Sequence, residues 1–522
     1  MTEEEGAALD IKFQQRFSKN LISNVVYFVL NVIIGLALVP FFLDTLGPAA
    51  YALVPLATSI TSYVTLIIQC LNMSVSRFLT IDLQRGDIAK AKETFNTALF
   101  GTLIVILLLV PVALGIAWVT PYFFSIGEES TITVFILFSL VFLSAFIRAW
   151  SSNFMVTLFA HNRLDLWNWV NASYLIVQVI SVVLFFIIFS PSLELIGISY
   201  LIAAIFSSIL AIVYSNRVNP LLKIKLSLVS KPLFWKMSTM SGWLIFVELG
   251  TLLQLPVGLI IANLLFGEVA ETQYSLVITF VTLLLGISGL ITSTFRPMIY
   301  SYVSNNDTNG VANFLTSTIR IVGLTMALPT SLICIFAPQL LTLWVGEEYA
   351  ILSPLVWILV LPTITNVIRG CIGPLCVACN RVKVIAIANF LLALVNIGLA
   401  FILSSHFDIG IYGIGIAWAV SNLMIFIFIF IYSAYILNIA LLTFLNTSII
   451  VIISVLILFG TGIITITIIP INSIAWALIL GGIICVIYYV ILTKIIFKRD
   501  EIKKIRACLP KFLERKIPKW LF

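Results

Sequence analysis

The chain has 522 residues, of which 61% are hydrophobic and only 10% charged, with a mean hydropathy of +1.16. That much apolar surface cannot be hidden in a water-soluble core, so lipid must be the solvent for most of it. The net charge of +7 is no nucleic-acid signal, because residues 494–522 alone hold ten Lys/Arg against three Asp/Glu.

In chain order, residues 1–20 are polar and acidic at their start. The first apolar run is long enough to span, so no cleavable signal peptide is expected. Apolar runs then recur, each near the roughly 20 residues that a helix rising 1.5 Å per residue needs to cross about 30 Å of hydrocarbon. Fourteen spans are predicted, over 21–43, 50–76, 95–119, 131–153, 168–190, 193–215, 239–265, 272–299, 311–336, 350–378, 383–404, 410–436, 444–469 and 471–493. Within the tenth, Gly370, Gly373 and Pro374 predict a kink, and Gly286 and Gly289 do the same for the eighth. After the last span, residues 494–522 mix Lys/Arg with Ile502, Leu509, Phe512 and Trp520, the composition of a cytoplasmic amphipathic tail resting on an anionic leaflet.

With the chain starting inside, all 29 Lys and Arg fall on the cytoplasmic side or in the half-helices leading to it. The outer connections carry Asp44, Glu128, Glu129, Glu194, Glu268, Glu271, Glu347, Glu348 and Asp408 instead. This positive-inside bias puts both termini in the cytoplasm of a multi-pass protein of the inner (plasma) membrane. No GxxxxGK loop, DxD pair or HExxH helix is present, and the two histidines, His161 and His406, lie in different loops. A transporter without ATP machinery therefore fits better than an enzyme, and no cofactor is expected beyond a coupling H+ or Na+. Cys371, Cys376 and Cys379 share the tenth span, but no fourth ligand is near and buried cysteine commonly behaves as a small apolar residue, so no metal is expected.

The chain also repeats itself at a shift of about 216 to 221 residues. Gly47 maps to Gly267, Arg77 to Arg296, Pro111 to Pro329, Pro121 to Pro338, Gly127-Glu128-Glu129 to Gly346-Glu347-Glu348, Arg148 to Arg369, Asn162-Arg163 to Asn380-Arg381 and Gly197 to Gly413. Such an ordered series argues for duplication. It predicts two parallel six-helix halves, 21–217 and 234–438, with the substrate path between them, followed by two extra helices over 444–493.

The stretch Leu46-Gly47-Pro48-Ala49-Ala50-Tyr51-Ala52-Leu53 with Ser59-Ile60, the run Ser76-Arg77-Phe78 before Gly86-Asp87, Gly346-Glu347-Glu348-Tyr349-Ala350, the Ala378-Cys379-Asn380-Arg381 turn and Tyr412-Gly413-Ile414-Gly415 together carry a resemblance. Over residues 15–440 the chain resembles the polysaccharide-exporter branch of the multidrug, oligosaccharidyl-lipid and polysaccharide exporter superfamily. The resemblance implies an all-α polytopic fold of about 14 transmembrane helices in a V shape. It also implies flipping of undecaprenyl- or dolichyl-linked oligosaccharides for surface polysaccharide or glycan assembly, with membrane lipids and polysaccharide assembly proteins as partners. Ala52 stands where many relatives have glycine, a change that keeps a small residue at a helix contact.

Charges inside a membrane are costly and mark function by default. Arg77 and Arg296, near the inner ends of the second and eighth spans, and Arg148 and Arg369, near the inner ends of the fourth and tenth, would form a pseudo-symmetric cationic ring able to hold the pyrophosphate of a lipid-linked sugar. Arg320 sits about 15 Å into the ninth span and has no basic twin. The competing reading of all five is snorkelling and topology marking. Glu248, with Asn31 as its repeat counterpart, is the candidate for ion coupling; an ion pair with Arg320 is the structural alternative. An ion-coupled exporter of drugs or small metabolites on the same fold is the second functional expectation, although it calls for more intramembrane carboxylates than Glu248. The Asn162-Arg163 and Asn380-Arg381 turns read as caps and anchors rather than gates.

Overall fold

The computed structural model describes residues 3–84, 87–161, 163–293, 295, 299, 302–303, 308–379, 381–437, 441–468 and 474–491. Arg296, Asn162, Asn380 and the tail 494–522 lie outside the described residues. The chain forms two compact units, Met1–Thr272 and Gln273–Phe522.

The first unit contains α1 (Glu3–Gln84), α2 (Ile88–Phe123), α3 (Thr131–Ala160), α4 (Leu164–Ile188), α5 (Leu193–Val218), α6 (Lys231–Leu252) and the start of α7 (Val257–Ser293). Helix α1 runs for 82 residues, about 120 Å if straight and several times a bilayer's thickness. It is broken at Gly47, whose φ of 80° is a conformation that a Cβ would strain, and this is the boundary between the first two predicted spans. Its repeat counterpart Gly267 breaks α7 in the same way, with φ 83°. The predicted kink at Gly286 and Gly289 is not there: α7 runs through both as regular helix.

The seventh predicted span, 239–265, is interrupted instead at residues 253–256, between α6 and α7. Pro256 supplies no N–H and its ring clashes with a continuing helix. The carbonyl freed by the break is met from α1, where Tyr63 Oη donates to Leu252 O at 2.6 Å. This is how a broken helix survives in a membrane, each loosened backbone group finding a partner inside the protein. Replacing Tyr63 with phenylalanine is expected to lower stability by about 1–3 kcal/mol, the cost of a buried carbonyl left unpaired, readable as a lower Tm in detergent. α6 packs on α1 and α2, so this span belongs to the first unit, whereas the repeat assigns it to the second half.

The second unit contains the rest of α7, α8 (Thr308–Ile335), the short α9 (Ala337–Trp344), α10 (Ser353–Val360), α11 (Thr363–Ala378), α12 (Val382–Phe401), α13 (Ile411–Leu437), α14 (Leu441–Ile468) and α15 (Ile474–Ile491). α14 packs on α8, α12 on α13, and α11 on both α8 and α13. The tenth span does bend, but at Leu361-Pro362 between α10 and α11; α11 continues as helix through Gly370, Gly373 and Pro374.

Eleven helices among the described residues are long and apolar enough to cross a membrane, with residues 22–83 and 245–292 each long enough for two crossings. α15 lies in the last predicted run. The chain is an all-α multi-pass membrane protein. The duplication reappears as local geometry: Gly127 and Gly346 both take positive φ before their Glu-Glu pairs. Arg163 N donates to Leu158 O at 2.9 Å just as Arg381 N donates to Cys376 O at 2.8 Å, the long bond that closes a helix end.

Candidate functional site

The first unit encloses a cavity of about 340 Å³. Its walls are single faces of three helices: Thr65, Gln69 and Asn72 of α1; Arg148, Ser151 and Ser152 of α3; and Trp167 and Asn171 of α4. Spacings of three and four residues bring each set to one side of its helix. Ser207 of α5 lies behind them, and the neighbouring Ser208 ties α5 to α3 through a 2.9 Å bond to Ser151 Oγ. Below lies a core of Leu79, Phe95, Leu99, Phe154 and Leu158, with Phe95 and Phe154 edge to face at 5.4 Å.

Arg148 is the one charged side chain among the cavity's lining residues. Its guanidinium lies 3.9 Å from the centre of the Tyr174 ring, and one Nη donates to Asn171 Oδ1 at 3.2 Å. Asn171 is itself steadied by donating to Trp167 O at 3.1 Å. These contacts aim a planar cation while leaving it donors to spare. Opposite, Asn72 Nδ2 donates to Ser152 Oγ at 2.5 Å, and Asn72 Oδ1 has no hydrogen-bond partner. α3 runs to Ala160, beyond the predicted end at 153, so Arg148 stands about 18 Å from the C-terminal end of the helix, farther from it than the predicted span implies.

The other predicted residues divide between the units. Arg77 is exposed in the last two turns of α1, and Asn31 is exposed on the first arm of that helix. Glu248 is half-buried on α6, within electrostatic range of Cys70 of α1. In the second unit, Arg320 is half-buried on α8, and Arg369 on α11 donates to Asn366 one turn earlier. Cys376 turns toward Ser433 of α13, its sulfur 3.9 Å from the hydroxyl. Between α3 and α4, Arg163 holds Asp165 through two bonds of 2.9 and 3.0 Å, and that hydrogen-bonded carboxylate keeps the guanidinium above its ordinary range.

The repeat extends to the arginine's partner, and there the two units differ. At the shift of 218 that relates Arg163 to Arg381, Asn171 corresponds to Asn389 and Tyr174 to Leu392. In the second unit Arg369 Nη1 and Asn389 Oδ1 are both buried without a hydrogen-bond partner, and the aromatic face is missing. The first unit thus holds its arginine from the neighbouring helix, and the second from one turn earlier on the same helix. Sequence reasoning missed Gln69, Asn72, Asn171 and Tyr174, although Thr65, Gln69 and Asn72 at i, i+4 and i+7 already form a polar stripe on an apolar helix.

Long apolar helices, two of them broken at the repeat-related Gly47 and Gly267, give the first unit's polar cavity an all-α multi-pass membrane fold that solved membrane transporters share. The chain is 29% identical over 413 residues, 78% of its length and 81% of the relative's, to the uncharacterized membrane protein EpsK of Bacillus subtilis (strain 168). Its fold is similar to an inward-facing multidrug resistance MATE family transporter of the MOP superfamily, with TM-score 0.66 and 14% identity over 80% of this chain and 98% of that one. It is also similar to the lipid II flippase MurJ in an inward closed conformation, with TM-score 0.64 and 14% identity over 91% of this chain and 99% of that one. No family model matches the chain.

Proposed function

We propose that this chain is a flippase that moves a polyprenyl-pyrophosphate-linked oligosaccharide from the cytoplasmic to the outer leaflet, by alternating access, for cell-surface polysaccharide or glycan assembly. The observation that carries the reading is the cavity around Arg148, whose lining holds one guanidinium, several carboxamides and hydroxyls, and no carboxylate. Such a wall favours an anionic, hydroxyl-rich headgroup, because the guanidinium fork matches phosphate oxygens and the amides match sugar hydroxyls. It disfavours an organic cation, which would need an acid in the wall. Likeness in fold to a lipid II flippase agrees with this reading.

Arg77, Arg296, Arg369 and Arg320 are the further candidates to meet the pyrophosphate along the path. Glu248, with Asn31, is the candidate coupling group for H+ or Na+. The protein works in the inner (plasma) membrane with both termini in the cytoplasm, between membrane lipids and polysaccharide assembly proteins. It carries out no covalent chemistry.

The test is reconstitution in vesicles with lipid-linked sugars and an assay for headgroup exposure on the far leaflet. Translocation of a pyrophosphate-linked sugar is the expected result. Transport of soluble organic cations, with every pyrophosphate-linked lipid left in place, would establish the exporter alternative instead.

A further inference from the structure

Outside the arginine cavity, the break of α7 holds a buried carboxyl group that the flippase reading does not use. Glu271 is 0% exposed. Its Oε2 accepts a hydrogen bond from Asn263 Nδ2 at 2.8 Å, while its Oε1 has no hydrogen-bond partner. Asn263, itself buried, lies on the other side of the Gly267 break, so the bond joins the two arms of the bent helix. The carboxamide is held in turn by Ser125 of the α2–α3 loop: Ser125 N donates to Asn263 Oδ1 at 2.9 Å, and Asn263 Nδ2 donates to Ser125 O at 3.2 Å. Both amide hydrogens of Asn263 are thus committed, and it has none left for Oε1.

A carboxylate buried with one hydrogen bond and no counter-charge costs several kcal/mol. Here the demand for positive charge is greater still. Glu268, one turn away, adds its own negative field, and the same Ser125 loop carries Glu128 and Glu129 beyond Gly127. Among the described residues, no lysine, arginine or histidine forms an ion pair with Glu271. Thr272, the next residue, donates to Pro48 O at 2.6 Å beside the matching Gly47 break, so the two bent helices of this unit are tied together next to the open oxygen.

We infer that Glu271 and Asn263, at the break of α7, form a binding site for a small monovalent cation, a proton or a sodium ion. The cation sits on Oε1, Asn263 fixes the carboxyl's orientation, and the acidic loop attracts cations from the outer side. The site is separate from Glu248 and from the arginine cavity, and it needs no lipid-linked substrate to be filled.

The experiment uses the purified full chain in lipid nanodiscs with no substrate, so its outcome is independent of the flippase reading. Sodium is titrated against choline at constant ionic strength while Tm is followed, and infrared difference spectra are recorded without sodium. A bound sodium ion gives a saturable rise in Tm that Glu271→Gln abolishes. A bound proton gives a protonated-carboxyl band that Glu271→Gln removes. Asn263→Ala, which keeps the carboxyl but frees it, is expected to raise the sodium midpoint at least about tenfold or to shift the band, and it serves as the test if Glu271→Gln does not accumulate. The inference is overturned if neither signal occurs in the wild type, if both survive Glu271→Gln unchanged, or if Glu248→Gln alone removes them.

Discussion

Replacing Arg148 with alanine is expected to lower translocation of a pyrophosphate-linked sugar by about 10- to 100-fold, the equivalent of the roughly 1.5–3 kcal/mol carried by a hydrogen bond to a charged group. Abundance and membrane insertion should be unchanged, because Arg148 faces a cavity and is not packed into the core of Phe95 and Phe154. Arg148→Lys is the sharper variant. It keeps the charge but loses the planar fork, and with it both the Asn171 bond and the stacking over Tyr174. A lysine variant as active as the wild type would mean that the site needs only positive charge. A strong loss in both variants, with normal monodispersity in size-exclusion chromatography, would mean that the headgroup is read by shape. Arg369→Ala should have the smaller effect, since that guanidinium is held by Asn366 of its own helix rather than by an amide of the next one, and Leu392 stands at the repeat position of Tyr174.

The spans were legible because hydrocarbon thickness imposes a length that composition alone reveals, and Gly47 and Gly267 were legible as equivalent positions. Where helices break was harder to read. Gly370, Gly373 and Pro374 looked like the kink of the tenth span, yet the chain bends at Pro362. The seventh span concealed its break at Pro256, which survives because Tyr63, far away in sequence, takes up the freed carbonyl. A proline signals that a helix is weakened, while tertiary contacts decide whether it parts there. The site followed the same logic. Arg148 was legible from its charge, but its amide and aromatic partners were read as ordinary span residues, because only the crossing of α1, α3 and α4 brings them together. Glu271 was assigned to an outer connection with the other acids, since nothing local says that the Gly267 break folds its side chain inward.

The second large effect concerns two repeat-related glycines that look equivalent in sequence and differ in what they touch. A Cβ added at Gly413 would lie 2.8 Å from both Leu403 C and Ser404 N and 2.7 Å from Ser404 Oγ, so α13 is pressed against the backbone of the turn that ends α12. A Cβ added at Gly197 would meet only the Leu140 side chain, at 2.9 Å from Cδ1 and 3.0 Å from Cβ. Backbone cannot step aside as a leucine does, so relief at Gly413 requires α13 to move away from the turn. Gly413→Ala is therefore expected to cost at least about 3 kcal/mol, the upper end of overpacking penalties, and Gly197→Ala about 1–2 kcal/mol. In fluorescence-detected size-exclusion chromatography after a heating series, Gly413→Ala should lose its monodisperse peak at much lower temperature than the wild type. Gly197→Ala should fall between them, and shortening Leu140 to alanine beside it should restore part of the loss. No comparable truncation is available at Gly413, where Ser404→Ala removes the hydroxyl and leaves the two backbone atoms in place. Equal behaviour of the two glycine variants would mean that the α13 contact relaxes as readily as a side chain, and that the close approach at Gly413 does not hold the second unit together.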